Sequence, residues 1–166
     1  MLSSKCTTLP VRVFDGYTKL NTINLGLITT FNSLCLWGTG LTGTLSIPSA
    51  TGTLGDEAFT GTKITNIANL GSVTTIMRKT FSLCTSLQSV NLPSTLITIG
   101  NSTFNGCSNL TTINLPETIT TIGGAAFWEC YSLVIDDLSL PNLTTLGDSA
   151  FRSTKIKKVS NLGNIT

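Results

Sequence analysis

Histidine is absent from the 166 residues, which removes the commonest general base, proton shuttle and imidazole metal ligand near neutral pH. Charge is scarce as well: Asp, Glu, Lys and Arg make up 11% of the chain, against roughly 25% in an average soluble protein. So few ions raise the question of a membrane. No apolar run approaches the roughly 20 residues of a spanning helix, because Thr, Ser, Asn and Gly interrupt every one. The polar surface must therefore consist of neutral hydroxyl and amide groups, and no membrane insertion is expected. A net charge of +2 is too small to hold nucleic acid, and no Lys/Arg-rich run concentrates it. Lys155, Lys157 and Lys158 form the one basic cluster, read as a solvated face rather than a binding patch. The start, Met1 to Pro10, lacks the apolar core of a secretory signal. The chain is expected either to stay inside a cell or virion or to have lost a leader.

What the sequence has instead is repetition. Phe14, Leu36, Phe59, Phe81, Phe104, Phe127 and Phe151 mark equivalent points, separated by 22, 23, 22, 23, 23 and 24 residues. A fixed period in the twenties is the signature of a solenoid, in which no single coil can bury its own apolar face. The expected architecture is one domain over residues 1–166, with about seven rungs. Thr112-Ile113-Asn114-Leu115 alternates polar and apolar residues and reads as a short strand. Pro116, which has no N–H, ends it. Ile119 and Ile122 make a second short extended segment before Gly123. Gly-Gly-Ala-Ala-Phe127 then turns inward, expected as one helical or 3₁₀ turn. Asp56, Asn101 and Asp148, at the same point of other rungs, are expected to cap that turn. Stacking at about 4.8 Å per rung gives a rod of roughly 30–35 Å, with the Phe, Leu and Ile ladders as its core.

The pattern Leu-x-x-Ile-x-Leu-Pro-x-x-Ile-x-x-Ile-Gly-x-x-Ala-Phe-x-x-Cys, clearest at Leu110–Cys130, resembles the BspA-like leucine-rich repeat. The likeness runs from about Leu9 to Thr166, with Leu36 in place of Phe and an insertion at Val134–Leu138. The resemblance implies a leucine-rich-repeat solenoid of 22–24-residue coils. It also implies a place at a bacterial or protist surface, or outside the cell, and adhesion to host proteins or other cells.

Of five cysteines, Cys84, Cys107 and Cys130 each follow a marker by three residues and stack in one internal column. Stacked equivalents point in parallel, which suits small apolar fillers better than disulfides or a zinc site. No metal or other cofactor is expected, and the state of Cys6 and Cys35 stays open. Asp136 and Asp137 are the only adjacent acids and make no convergent acid–base pair. They sit in the insertion, readable as a tolerated loop or as a contact site. Asn101, Asn109, Asn142 and Asn164 open Asn-x-Ser/Thr sequences, which matter only in a eukaryotic secretory pathway.

The candidate binding face is the outward side of the strand ladder: Thr22, Asn24, Ser46, Ser89, Asn91, Thr112, Asn114, Ser139 and Ser160. Such groups are also what any solvated strand carries. Trp37 and Trp128 directly follow markers and should face outward at the turn as a candidate interface. The repeats have little N-terminal cap, and the last rung stops at Asn164-Ile165-Thr166. An open apolar end is expected to meet either further repeats or another subunit. These features favour an interaction module that binds protein or glycan, or a structural component of a virion or multi-subunit assembly, over an enzyme.

Overall fold

The computed structural model describes residues 5–165; the expectations for the start at Met1 and the end at Thr166 lie outside them. In chain order the strands are β1 (Thr8–Leu9), β2 (Thr30–Phe31), β3 (Thr42–Ser46), β4 (Thr51–Leu54), β5 (Lys63–Asn69), β6 (Ser72–Ile76), β7 (Ser89–Asn91) and β8 (Thr98–Ile99). They continue as β9 (Thr112–Asn114), β10 (Thr121–Ile122), β11 (Val134–Ile135), β12 (Leu138–Ser139), β13 (Thr145–Leu146), β14 (Lys155–Ile156) and β15 (Val159–Asn161). Every pairing is parallel, as stacked equivalent segments require. One side of the rod is an unbroken seven-stranded sheet, β1-β2-β4-β6-β8-β10-β13. The other side is interrupted: a four-stranded sheet, β3-β5-β7-β9, stands apart from the pairs β11-β14 and β12-β15. The result is a parallel β-solenoid of about seven coils.

The repeat register holds through the turns. Phe14 N–H donates to Cys35 C=O, Leu36 to Ala58, Phe59 to Thr80, Phe81 to Thr103, Phe104 to Ala126 and Phe127 to Ala150. Each acceptor immediately precedes the next marker, so all seven markers are structurally equivalent.

The helical turn expected before each marker is not there. Among the described residues there is no helix. Each coil instead bends through consecutive four-residue turns, with left-handed residues two before and two after the marker. These pairs are Arg12/Gly16, Leu34/Gly38, Glu57/Gly61, Lys79/Leu83, Ser102/Gly106, Ala125/Glu129 and Ser149/Ser153, with φ between 53° and 72°. The physical reason lies in the hydrogen bonds. Glu57, Phe59 and Gly61 send their N–H groups to the next coil, at Arg78, Thr80 and Ser82. Ala58, Thr60 and Thr62 close turns on Gly55, Glu57 and Phe59. A helix would direct all six groups within the coil and leave the stack unbonded. The left-handed conformation costs a non-glycine residue about 1–2 kcal/mol, which the bonds between coils offset. With no helix to cap, Asn101 takes another role: its Oδ1 accepts the Gly124 N–H of the next coil at 2.8 Å.

The core is a set of ladders. Phe59, Phe81, Phe104, Phe127 and Phe151 stack with centroids 5.1–5.5 Å apart. At the other end the ring ladder departs from the repeat. Leu36 is fully buried in its marker position, but the ring against Phe59 belongs to Phe31 of β2, at 5.5 Å. Phe31 occupies the column of Leu54, Ile76 and Ile99, so a larger strand residue fills the volume that the smaller marker leaves. Phe14 is only half-buried and meets Tyr17 edge-on. Gly55 and Gly100 stand where strand becomes turn and the coils approach closely. A Cβ on Gly55 would lie 2.6 Å from the Asn32 carbonyl carbon, and one on Gly100 would lie 2.7 Å from that of Met77. Every buried side-chain nitrogen or oxygen among the described residues has a hydrogen-bond partner.

Candidate functional site

On the interrupted side, inward Leu45, Ile67, Val90 and Ile113 stack in register, which turns the alternate residues outward. The first outward row is Thr44, Asn66, Ser89 and Thr112. The second contains Ser46 beside Asn69, Asn91 beside Asn114, and Ser139 beside Asn161. Thr22 and Asn24 carry the same pattern in the first coil, but no strand forms there. Thr44, Asn66, Asn69 and Asn161 are thus face residues that the sequence reading omits. Ser160 is a correction: Leu138 pairs with Val159 and Ser139 with Asn161 across a bulge, so Ser160 is the extra residue and Asn161 the true equivalent. Ala68 is the same insertion in β5, where Ser46 pairs with Asn69. The signal was present in sequence as the recurring Asn-Leu-Gly of Asn24, Asn69 and Asn161.

Those asparagines have a structural task set by the residue two places on. Where it is glycine, its N–H needs an acceptor, and Asn Oδ1 supplies it: Asn24 to Gly26 at 3.0 Å, Asn69 to Gly71 at 2.8 Å and Asn161 to Gly163 at 3.0 Å. Where it is Pro93 or Pro116, no N–H exists and the amide reaches the neighbouring coil instead. Asn91 Nδ2 donates to Ala68 C=O at 3.2 Å and Asn114 Nδ2 to Leu92 C=O at 3.0 Å, while Leu92 N–H donates back to Asn114 Oδ1 at 2.6 Å. Ser89 Oγ bonds Asn66 Oδ1 at 2.7 Å. The amides therefore clamp the ladder, and Ser46, Thr112 and Ser139 present exposed hydroxyls beside them.

The interruptions leave two clefts on this face. One, of about 180 Å³, lies between the first coil and β3 and includes Thr22 and Ser46. The other, of about 120 Å³, lies between β9 and β11–β12 and includes Asp137 and Ser139.

The unbroken sheet carries a second polar row that the sequence reading did not assign. Register places Thr8 beside Thr30, and Thr53, Thr75, Thr98, Thr121 and Thr145 in one column. The Thr-Thr-Leu, Thr-Thr-Phe and Thr-Thr-Ile sequences were the available signal.

The turn edge holds both tryptophans, Trp37 40% and Trp128 36% exposed. The Arg152 guanidinium lies 5.4 Å from the centroid of Trp128. They are four coils apart, too far to form one contact. In the insertion, Asp136 and Asp137 lie between β11 and β12 and pair with the next coil rather than standing free. Lys157 Nζ reaches Asp136 at 2.7 Å and Lys158 Nζ reaches Asp137 at 2.9 Å. Two members of the basic cluster, Lys157 and Lys158, are thus half of an ion-paired brace. Lys158, and then the Ser160 hydroxyl, hold the Asp137 carboxyl below the usual carboxylate range.

All five cysteines are free thiols. Cys84, Cys107 and Cys130 are buried, and each Sγ donates to the carbonyl of the preceding coil's marker, Phe59, Phe81 or Phe104, at 3.2–3.3 Å. Burial pushes the Cys84 thiol up to about 11 and the Cys130 thiol to about 12. Cys35 is equally buried, and burial raises it to about 12; Cys6 is half-exposed, with its Sγ 3.4 Å from Thr8 C=O. Where the column lacks cysteine, Thr39, Thr62 and Thr154 fill it and donate to their own coil's marker carbonyl. No group of three or more Cys, Asp or Glu side chains converges as metal ligands among the described residues.

The sequence model of the BspA type leucine rich repeat region matches in six copies, over residues 1–63 and 52–166. The chain belongs to the BspA-type leucine-rich repeat family. Solved structures agree. A leucine-rich repeat protein from Bacteroides ovatus is 26% identical with a TM-score of 0.77, covering 93% of this chain and 40% of its own. One from Eubacterium ventriosum is 21% identical, with a TM-score of 0.66 over 78% of this chain and 35% of that one. The T. pallidum leucine-rich repeat protein is 24% identical, with a TM-score of 0.57 over 81% of this chain and 66% of that one. The last two likenesses concern the fold alone. The chain spans about 40% and 35% of the lengths of the first two proteins. No curated protein matches. Proteins of the BspA type are typically non-catalytic scaffolds, often at a surface or outside the cell, and the family suggests an interaction or adhesion-type module. No helix among the described residues is long and apolar enough to cross a membrane.

Proposed function

We propose that this BspA-type rod is a non-catalytic adhesion module that holds a protein or glycan partner outside the cell, against the hydroxyl and amide rows of its interrupted face. The supporting observation is the rigid four-stranded sheet, whose two outward rows are neutral and whose amides are already fixed by hydrogen bonds. A surface whose rotamers are set before binding loses little entropy on contact. Trp37 and Trp128 on the turn edge offer additional apolar contact to a partner that wraps the rod. The test is binding of the labelled chain to arrays of glycans and extracellular proteins, repeated with Thr112→Lys and Ser46→Lys. Thr75→Lys, on the opposite sheet, is the control. The reading expects both face variants to lose at least about tenfold in affinity, roughly 1.4 kcal/mol, while the control binds normally. Loss confined to the control would move the site to the threonine column.

A second reading is a structural component of a larger assembly, with the face of the last coil as the contact. Its Phe151, Ile156 and Leu162 are only half-buried and Val159 is 52% exposed. A further coil, or a second copy of this chain, stacked there would cover them. Light scattering over a concentration series tests it: a single concentration-stable oligomer supports assembly, and a monomer removes the self-association form.

A further inference from the structure

The cleft between the first coil and β3 is a place where the stack opens on one side only. Gly40 N–H still donates to Tyr17 C=O and Thr42 N–H to Asn21 C=O, at 3.4 and 3.3 Å. Beyond Asn21, no main-chain hydrogen bond joins residues 22–25 to residues 43–46 among the described residues. The groups of β3 that its pairing with β5 leaves unused, and the N–H groups of residues 22–25, therefore face the cleft or solvent instead of one another. Its rim carries Thr22, Thr44 and Ser46, and Ile23 and Leu45 help to line it. No ionisable side chain is among its lining residues.

We propose that this cleft is a subsite for one neutral pyranose ring, so that the module's partner is a glycan whose terminal or branching sugar seats there. The proposal rests on the adhesion reading and gives it a ligand class. The chemistry selects the class in three ways. A lining without charge disfavours anionic and cationic ligands, whose desolvation nothing there would repay. Hydroxyls and unpaired peptide groups on the rim, with aliphatic side chains beside them, match a ring whose edge is hydroxylated and whose faces are C–H. An added peptide strand does not fit, because the bonds at Gly40 and Thr42 close one end of the cleft, and a strand needs open edges along its whole length. A volume of about 180 Å³ accommodates one sugar ring and not two. Its place at the end of the interrupted face lets the rest of a chain continue over Ser46 and Asn69.

The test is titration of the isotope-labelled full chain with methyl glucoside, methyl galactoside, methyl mannoside and methyl N-acetylglucosaminide, read by amide shifts. At least one should move the Thr22, Thr44 and Ser46 amides with a dissociation constant of about 1 mM, the weak range of a single small ligand. Sorbitol, an acyclic polyol, should not. Thr44→Val keeps the side-chain shape and should weaken that binding about fivefold or more through the lost hydrogen bond, with circular dichroism and Tm unchanged. If Thr44→Val alters Tm, Ser46→Ala gives the same readout. Absence of localised shifts with all four glycosides, equal shifts with sorbitol, or undiminished binding by both variants would overturn the proposal. The glycan array separates the two levels. Array binding that survives Thr44→Val and Ser46→Ala removes the cleft and leaves the face reading standing. Glycoside binding at the cleft with no array binding removes the face reading and leaves the cleft.

Discussion

The coil marked by Leu36 suggests a repair experiment. There a leucine replaces the marker ring, and Phe31, five residues earlier in the strand, brings its own ring to Phe59 at 5.5 Å. In the fifth coil the corresponding residues are Phe104 and Ile99, both fully buried. Phe104 stacks on Phe81 at 5.5 Å and on Phe127 at 5.3 Å, with the rings within 9° of parallel. Phe104→Leu removes both ring pairs, each worth about 0.5–1.5 kcal/mol beyond area burial, so a loss of about 1–3 kcal/mol is expected. Ile99→Phe alone adds a ring to a filled core, and such overpacking costs about 1–3 kcal/mol. Together the two changes reproduce the second coil, with the new ring abutting Phe127 as Phe31 abuts Phe59. The double variant should therefore be more stable than the sum of the single losses by at least about 1 kcal/mol. Urea unfolding of the four proteins, followed by circular dichroism and by tryptophan fluorescence, measures the coupling. A strictly additive double variant would show that Phe31 does not compensate for Leu36, and the account of the irregular coil would fail.

Cys107→Thr should cost less than about 1 kcal/mol and Cys107→Phe more than about 2, since Thr39, Thr62 and Thr154 already occupy that column; urea midpoints compare them. The raised thiols set an alkaline limit. Below pH 9 folded and unfolded chains both keep them protonated, so that stability is intact. Above it only the unfolded chain ionises, and each buried thiol removes about 1.4 kcal/mol per pH unit until the folded values, about 11 for Cys84 and about 12 for Cys35 and Cys130, are reached. Unfolding midpoints between pH 8 and 11 should fall, and Cys84→Thr with Cys130→Thr should flatten the decline. In native protein at neutral pH, a thiol reagent should modify Cys6 alone within minutes, with the other four reacting at the rate of unfolding; mass spectrometry distinguishes them. Asp136→Asn with Asp137→Asn should lower Tm only slightly, because the paired groups are exposed. About 1 M NaCl, where the Debye length is ~3 Å, should erase the difference.

The period, the seven markers, the cysteine column and two polar–apolar alternations per coil were legible because each repeats one residue type at a fixed offset. The turn was not. Its residues two before the marker are Arg12, Leu34, Glu57, Lys79, Ser102, Ala125 and Ser149, a set with no shared chemistry and no glycine. Their left-handed backbone comes from hydrogen bonds to the next coil, which local propensity does not encode. Phe31 was missed for a related reason: it matches the strand column in position but not in size, and only packing reveals what that extra volume fills. Ser160 was misplaced because the marker offset was not applied to the last coil: Asn91 and Asn114 lie ten residues after Phe81 and Phe104, and ten after Phe151 is Asn161. The recurring Asn-Leu-Gly, at Asn69 and Asn161, carries the same signal.

The two sides of the rod divide stability from variation. On the unbroken sheet the threonine column and its Leu, Phe and Ile partner column recur in all seven coils, so any coil can stack on any other through the same bonds. The irregularities are more numerous on the opposite side: the unpaired segment at residues 22–25, the bulges at Thr65, Ala68 and Ser160, and the inserted Asp136-Asp137, against one bulge, at Thr74, on the unbroken sheet. A stack needs only one continuous ladder to hold its coils at a common spacing. Once β1 to β13 supplies it, the other side can lose pairing locally, and each loss leaves a cleft or a charged brace instead of a collapsed rod. Insertions and bulges concentrated there, against a single bulge on the threonine side, are what a scaffold needs if one face is to change its ligand while the fold remains. An inserted Gly-Ser pair between Thr98 and Ile99 should accordingly unfold more of the chain than the same pair between Asp136 and Asp137. Hydrogen exchange would show the difference as protection lost across several coils in the first case and confined to coils six and seven in the second. Equal spread in both would mean that the interrupted face carries as much of the stack as the continuous one.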